Sequence, residues 1–248
     1  MNKLNVAAYK LHAHTRAFKK KLADSQALCA EFLNKCSNPY VAFSTGKDST
    51  VCLHLIRDLA PHTLAIYNDH EWLLPEMAAM LAATPNVKRI ARVVKHSEIF
   101  TSYANGKPPN LSSEIEWCDG SIRKDWVSAN GYDGCAVGLR ANENSYRRKH
   151  IGKMGRLFYA QCYGVWQCYP VGHWHTEDIW AYLVSRDVQY CAAYDVLSSL
   201  GVPPNGQRIG PLLNERVEAM GQAAILKQGW PDVFERLAQA YPVIRGFA

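Results

Sequence analysis

The chain has 248 residues, enough for one large α/β domain or two small ones, and a core of this size forms without disulfides or metals. Its 48% hydrophobic and 20% charged residues are typical of a globular protein, and no run approaches the ~18 apolar residues that span a bilayer. The formal net charge of +6 suits an anionic ligand, such as a nucleotide or a nucleic acid.

Strand and helix patterns alternate along the first 140 residues. In chain order they predict a helix at 15–36, a strand at 40–43, a helix at 51–59, a strand at 63–67, a helix at 73–83, a strand at 87–94, a loop at 105–118, a helix near 121–129 and a strand at 135–139. Further on, Thr176 is predicted to cap a helix that runs to about residue 185. Turns over 191–210 and helices near 213–225 and 231–240 complete the pattern.

This alternation indicates an α/β fold, with a mainly parallel twisted sheet and helices on both faces. We predict a single domain over residues 1–248, with a nucleotide-binding core at 1–190 and a C-terminal cover at 191–248. Ligands of such folds bind beyond the carboxyl ends of the strands. Three polar segments follow predicted strands, so we expect them to converge at one edge of the sheet: Ser44–Ser49, Asn68–Glu71 and Arg140–Asn144.

The first of these segments reads Ser44-Thr45-Gly46-Lys47-Asp48-Ser49 and joins a predicted strand to a predicted helix. Gly46 is expected to adopt a backbone geometry closed to other residues. Loop N–H groups and the helix N-terminus favour an anion, and Lys47 adds a full positive charge. The segment is not a Walker A loop, because Asp48 follows the lysine and no glycine stands four residues upstream of Gly46-Lys47. We predict a phosphate-binding loop; the alternative is a polar turn.

The loop resembles the pyrophosphate loop Ser-Gly-Gly-Lys-Asp-Ser of the adenine nucleotide α-hydrolase, or PP-loop, superfamily, with Thr45 in place of the first glycine. Further segments resemble one branch of it, the phosphoadenosine phosphosulfate (PAPS) reductase family. They are Asn68–Glu76, Gly138–Arg147, Tyr169–Tyr182 and Ala193-Tyr194-Asp195. The resemblance covers residues 35 to 210 in the family's order, and it implies the Rossmann-like fold of this superfamily.

The resemblance implies that Arg140 and Arg147 contact phosphate or sulfate oxygens, for which a planar guanidinium is well shaped. Asp69 either bonds the ribose or adenine, or caps the helix near residue 73. The basic segment 147–156 either extends the positive charge or is a solvated face. The residues predicted to bind the nucleotide are Ser44, Thr45, Gly46, Lys47, Asp48, Ser49, Asp69, Gly138 and Arg140.

The family's reductases use a cysteine in a C-terminal Glu-Cys-Gly-Leu-His segment, which does not occur here, and the last cysteine is Cys191. Features near the C-terminus resemble a phage and mobile-element subgroup without that cysteine: Gly201-Val202-Pro203, Gln207–Pro211, Trp230 and Arg245-Gly246. Cys118 is the candidate thiol, because it precedes a predicted helix that could lower its pKa.

Metal binding has little support in the sequence. The eight cysteines are scattered without a Cys-x-x-Cys pair, which disfavours an iron–sulfur cluster. Most of them are expected to be small core residues. His173 and His175 offer two metal ligands, but we expect them to flank a structural Trp174 instead. No metal site is predicted.

Three functions stay open. The first is an enzyme that acts on ATP or a related adenylyl nucleotide by α-phosphate cleavage or adenylyl transfer, within sulfur metabolism. Its catalytic residues would be Lys47, Asp48, Arg140 and Arg147, and Asp48 could orient Mg²⁺. The second is a PAPS reductase that uses Cys118 and a thioredoxin-like reductant. The third is a non-catalytic regulator that depends on a nucleotide, or a component of nucleic-acid modification.

The same sequence features predict the ligand, the partners and the location of the protein. An adenine nucleotide is the predicted ligand, and ATP and PAPS stay open as its identity. A protein partner, a nucleic acid and a homodimer also stay open. The N-terminus carries no apolar signal segment, so we expect a cytoplasmic protein with reduced thiols and no membrane association.

Overall fold

The computed structural model describes residues 3–69, 73–91, 127, 129–209 and 222–248. The first half contains α1 (Lys3–Ala13), α2 (Arg16–Lys35), β1 (Pro39–Ala42), α3 (Lys47–Arg57), β2 (Leu64–Asp69), α4 (Pro75–Ala83) and β3 (Val87–Ala91). The second half contains β4 (Gly134–Val137), α5 (Ser145–Met154), β5 (Leu157–Ala160), β6 (Val165–Cys168), α6 (Thr176–Ser185), α7 (Ala193–Ser199), α8 (Gln222–Gly229) and α9 (Pro231–Ala240). Two 3₁₀ turns, Ala141–Glu143 and Pro242–Phe247, complete the described elements.

The six strands form one sheet in the order β3-β2-β1-β4-β6-β5. All neighbours are parallel except the β5–β6 pair, which is antiparallel. The predicted α/β class with a mainly parallel sheet is therefore confirmed. From β1 the chain continues to β2 and β3 on one side of the sheet and then returns to β4 on the other side. The gap between β1 and β4 is therefore the switch point at which such sheets place their ligand crevice.

The two faces of the sheet belong to different hydrophobic clusters, because successive side chains of a strand point to opposite sides. Val41 of β1 lies in the main core, which also holds Phe32 of α2 and Leu55 of α3. Its neighbour Tyr40 lies in a second cluster on the other face, together with Val127. This packing fixes the position of β1 between layers, and with it the loop that follows.

Several predicted elements occur within a few residues of their expected positions. The prediction for α3 is corrected at its start, since the helix begins at Lys47 and takes in part of the polar loop. Thr176 is the first residue of α6 rather than its cap, which is His175. The loop predicted at 105–118 lies outside the described residues, as does most of the helices predicted at 121–129 and 213–225.

The β5–β6 hairpin was not predicted. Its strands have four residues each, which is too short for an alternating pattern to stand out. α1, α5 and α7 were also not predicted. Of the helices that the structure describes, none is long and apolar enough to cross a membrane.

Asp178, in the first turn of α6, joins three parts of the chain. Its carboxylate accepts hydrogen bonds from His12 Nε2 at 2.8 Å, from Lys21 Nζ at 2.5 Å and from the His175 N–H at 2.7 Å. Burial alone would raise the pKa of Asp178, but the bonds from His12, Lys21 and His175 outweigh it and lower that pKa. The carboxylate therefore ties the N-terminal helices to α6.

We predict that Asp178→Asn lowers the free energy of unfolding by about 1–3 kcal/mol at neutral pH, because the charged acceptor for His12 and Lys21 is lost. The lowered pKa means that this stabilisation is present above the unfolded-state pKa near 3.8 and is lost as the pH falls through the folded-state value. Urea unfolding of both proteins from pH 7 downward measures the difference.

Glu235→Gln is the matched control, since Glu235 pairs with Arg245 at the exposed surface. We expect almost no change in its urea midpoint. Equal midpoints for wild type and Asp178→Asn at pH 7 would contradict a structural role for the carboxylate.

Candidate functional site

The loop Ser44–Ser49 leaves the carboxyl end of β1 and enters the first turn of α3. Its strained residue is Thr45, whose φ of +60° lies in the left-handed region. A β-branched side chain is rarely found there, and such a conformation costs about 1–3 kcal/mol. Gly46 has an ordinary extended backbone, with φ −67° and ψ 151°. The expectation that Gly46 supplies the unusual geometry is therefore wrong, and Thr45 supplies it.

Gly46 lies in a confined space. A Cβ at this position would lie 3.2 Å from Ser44 Oγ and 3.6 Å from the Tyr194 hydroxyl. Its carbonyl accepts hydrogen bonds from the Ser49 and Thr50 hydroxyls, both at 2.9 Å. Ser49 Oγ also accepts the Ser44 N–H at 3.2 Å. The loop is thus held by its own hydrogen bonds.

Two buried cations share one carboxylate beside this loop. Lys47 and Arg140 are each only 4% exposed. Arg140 Nε donates to Asp48 Oδ1 at 2.6 Å, and Lys47 Nζ lies 3.2 Å from Asp48 Oδ2. The group carries one positive charge more than its carboxylate neutralises. A buried excess charge is costly unless it is paired, so the site favours an anion.

Gly138 makes this arrangement possible by letting the backbone after β4 touch the start of α3. A Cβ on Gly138 would lie 2.6 Å from Asp48 C, Asp48 O and Ser49 N. Those neighbours are backbone atoms, so they cannot rotate away. The contact brings Arg140, two residues further on, to Asp48. Gly138 was predicted as a binding residue, and its observed role is this close approach.

We predict that Gly138→Ala lowers the free energy of unfolding by about 1–3 kcal/mol, because a methyl group overlaps fixed backbone. Gly152→Ala is the matched control: it lies in α5, and its Cβ would meet nothing within 4 Å. The helix propensity of alanine should make that variant slightly more stable, by about 0.5–1 kcal/mol. Urea unfolding compares the two, and a Gly138→Ala protein as stable as wild type would contradict the close approach.

Arg147 reaches the site through a carboxylate. Its guanidinium pairs with Glu143, whose Oε2 also accepts the Arg140 N–H at 3.1 Å. Asn144 caps α5 by accepting the Arg147 N–H at 2.8 Å. Arg147 is therefore linked to Arg140 through Glu143 at the turn that leaves β4.

Asp69 ends β2, the strand next to β1, and pairs with Arg89 of β3 at 2.7 Å. The alternative that Asp69 caps the following helix is wrong, since the cap of α4 is Leu74. Contact of Asp69 with a ribose or an adenine stays a prediction.

Two residues of the C-terminal part contact the loop. Neither was predicted as a site residue. The Tyr194 hydroxyl accepts the Lys47 N–H at 2.9 Å, and the Gln207 carbonyl accepts from Lys47 Nζ at 3.3 Å. Burial and the nearby Asp48 raise the pKa of Tyr194, so its hydroxyl stays protonated. Tyr194 belongs to the Ala193-Tyr194-Asp195 segment, and that resemblance was the available signal. Gln207 belongs to the Gln207–Pro211 segment, but its contact uses the backbone carbonyl, which no side-chain pattern predicts.

The described cysteines are mostly buried thiols. Burial raises the pKa of Cys29, Cys36 and Cys135 to about 12, and that of Cys191 to about 11. Thiols with such values are protonated at neutral pH and unreactive as nucleophiles. Cys118, the predicted nucleophile, lies outside the described residues.

His173 and His175 flank Trp174, as expected. Both histidines are exposed, whereas Trp174 is buried and its Nε1 donates to Ser25 Oγ at 2.9 Å. Across the described ranges, no three His, Cys, Asp or Glu side chains are grouped to hold a metal ion.

The switch-point loop and the sheet order define a Rossmann-like α/β protein with a loop of the PP-loop type. The model of the phosphoadenosine phosphosulfate reductase domain matches residues 38–205, so the chain belongs to that family. The predicted family is confirmed.

Curated proteins that are similar to this chain include a sulfate adenylyltransferase subunit from two organisms. Sulfate adenylyltransferase subunit 2 of Salmonella arizonae is 25% identical over 196 residues, which cover 69% of this chain and 65% of the relative. The same subunit of Salmonella newport matches with the same identity and coverage. The chain thus spans about two thirds of the length of these relatives.

Solved structures share the fold. PAPS reductase from Candida auris, in a phosphate complex, has a TM-score of 0.51 at 16% identity, covering 85% of this chain and 96% of that one. FMN adenylyltransferase from Candida glabrata, in complex with ATP, has a TM-score of 0.52 at 11% identity, covering 77% and 64%. All the named relatives are enzymes, in agreement with the predicted class.

Proposed function

We propose that this protein binds ATP at the β1–β4 switch point and acts on its phosphate chain, by α-phosphate cleavage or adenylyl transfer. The observation that carries the proposal is the buried pair of cations, Lys47 and Arg140, that share the single carboxylate of Asp48. This excess charge lies at the N-terminus of α3, where the helix dipole also favours an anion.

The charged groups suit the charge changes of adenylyl transfer. An oxygen of an acceptor bonds to the α-phosphorus as the bond to the α–β bridging oxygen breaks. Pyrophosphate leaves with the electron pair, and the acceptor's proton passes to solvent. Lys47 and Arg140 are fixed donors toward the negative charge that grows on the leaving group. The Arg140 guanidinium has five N–H donors, of which the Nε–H donates to Asp48.

Arg147 and Asp48 have supporting parts in this proposal. Arg147 holds Glu143, which in turn holds the Arg140 backbone, so we assign Arg147 to positioning in this state of the site. Mg²⁺ usually binds through phosphate oxygens, waters and one or two carboxylates. Both Asp48 oxygens already face cationic side chains, so these residues fit Mg²⁺ poorly through Asp48 alone. We expect the ion to arrive with the phosphates of ATP.

ATP is the preferred ligand because two named relatives, sulfate adenylyltransferase subunit 2 and FMN adenylyltransferase in complex with ATP, are adenylyltransferases. The relationship to sulfate adenylyltransferase subunit 2 also supports a role in sulfur metabolism and a subunit partner. A thioredoxin-like reductant, a homodimer and a cytoplasmic location stay predictions.

A second candidate, PAPS reduction, is favoured by the family model itself. We assign the nucleophile of that reaction to Cys118, because it precedes a predicted helix in the sequence, whereas burial raises the pKa of thiols such as Cys29 and Cys135. Thioredoxin-dependent sulfite release from PAPS would support this candidate, and Cys118→Ser should abolish it. Equal sulfite release by Cys118→Ser would remove this thiol from the mechanism.

We predict that Lys47→Ala weakens binding of ATP with Mg²⁺ at least tenfold in calorimetric titration, because a buried cation beside the phosphates is lost. Lys20→Ala is the matched control, since Lys20 is exposed on α2 and its loss should leave the affinity unchanged. PAPS is titrated in parallel. Tighter binding of PAPS than of ATP would favour the second candidate, and no binding of either nucleotide would contradict both.

A further inference from the structure

Helix α5 is strongly basic. It contains Arg147, Arg148, Lys149 and Lys153, and none of its residues is acidic. No Asp or Glu occurs anywhere between Glu143 and Glu177. The positive charge of this part of the surface is therefore not neutralised within its own segment.

One face of α5 is covered by the fold. Ile151 is buried in a cluster with Leu139 and Tyr169. His150 stands edge-on to Phe158, with 5.8 Å between ring centroids, and Arg147 pairs with Glu143. These contacts fix the rotation of the helix about its axis.

The opposite face carries Tyr146, Lys149 and Lys153, all exposed. The spacing of i, i+3 and i+7 places these three side chains on one stripe of a helix. Tyr146 is 71% exposed. This is the second-highest exposure among the large hydrophobic side chains of the described residues. Gly152 is exposed next to this stripe, and a Cβ there would meet nothing within 4 Å. We call Tyr146, Lys149, Gly152 and Lys153 the outer face of α5.

This combination matches the chemistry of a single strand of nucleic acid. Lysines pair with successive phosphates, and an exposed aromatic ring offers a platform on which an unpaired base stacks. An acidic peptide would use the lysines but has no base to stack on the tyrosine. The charge and the ring together therefore select a single-stranded polynucleotide.

We propose that the outer face of α5 binds single-stranded nucleic acid. The helix starts at the turn that leaves Arg140, and Glu143 connects Arg147 of α5 to the Arg140 backbone. Tyr146 is the second residue of this helix, so the outer face begins a few residues along the chain from Arg140. This binding does not rest on the proposed function.

Fluorescence anisotropy with labelled 12-nucleotide oligo-dT and oligo-U tests this binding at several salt concentrations. We expect Tyr146→Ala to weaken binding roughly 5- to 150-fold, and Tyr146→Phe to retain most of it, because stacking needs the ring and not the hydroxyl. The double variant Lys149→Ala/Lys153→Ala should weaken binding and lower the salt slope by about 1.4, at ~0.7 for each phosphate contact. Lys20→Ala should behave as wild type.

Two results would overturn the proposal. One is the absence of binding to both oligonucleotides at 50 mM salt; the other is equal binding of poly-glutamate with no effect of Tyr146→Ala. ATP titration of the same preparation separates the two hypotheses. Intact ATP binding without oligonucleotide binding refutes this inference alone, whereas oligonucleotide binding without ATP or PAPS binding refutes the proposed nucleotide site.

Discussion

The burial of Lys47 and Arg140 around one carboxylate is the constraint on which the site depends. Two cations at 4% exposure are costly unless they are paired, and Asp48 alone leaves one positive charge over. Neighbouring elements hold these three side chains in place. Gly138 lets the β4 end touch α3, and the Gln207 carbonyl takes one hydrogen bond of the Lys47 amine.

The same group explains why the strand order matters for chemistry. β1 and β4 are adjacent and parallel although many residues separate them, so the loop after one strand meets the arginine after the other. The α3 N-terminus points at this junction. The backbone strain of Thr45 lies here as well, within a loop held by its own hydrogen bonds. Fixed positive groups at one point favour an anion of high charge density, which a nucleotide phosphate chain provides.

Part of the fold and of the candidate site could be predicted from the sequence. Alternation of strands and helices predicted the parallel sheet, and the rule that ligands bind at strand ends predicted the meeting of Ser44–Ser49 with Arg140. The Asp48–Arg140 pair and the role of Gly138 could not be read, because both depend on how closely two backbones approach. The pairing of Asp69 with Arg89 depends on the register of β2 and β3. The contacts of Tyr194 and Gln207 with Lys47 link residues about 150 positions apart, beyond any local pattern.

We propose that the phosphates of ATP bind at the Lys47–Asp48–Arg140 group. A crystal structure of the protein with Mg²⁺ and a non-hydrolysable ATP analogue would locate them. We expect phosphate oxygens within hydrogen-bond distance of Lys47 Nζ, of the Arg140 guanidinium and of loop N–H groups. An analogue bound elsewhere, with the Asp48 ion pairs unchanged and no phosphate near them, would contradict the claim.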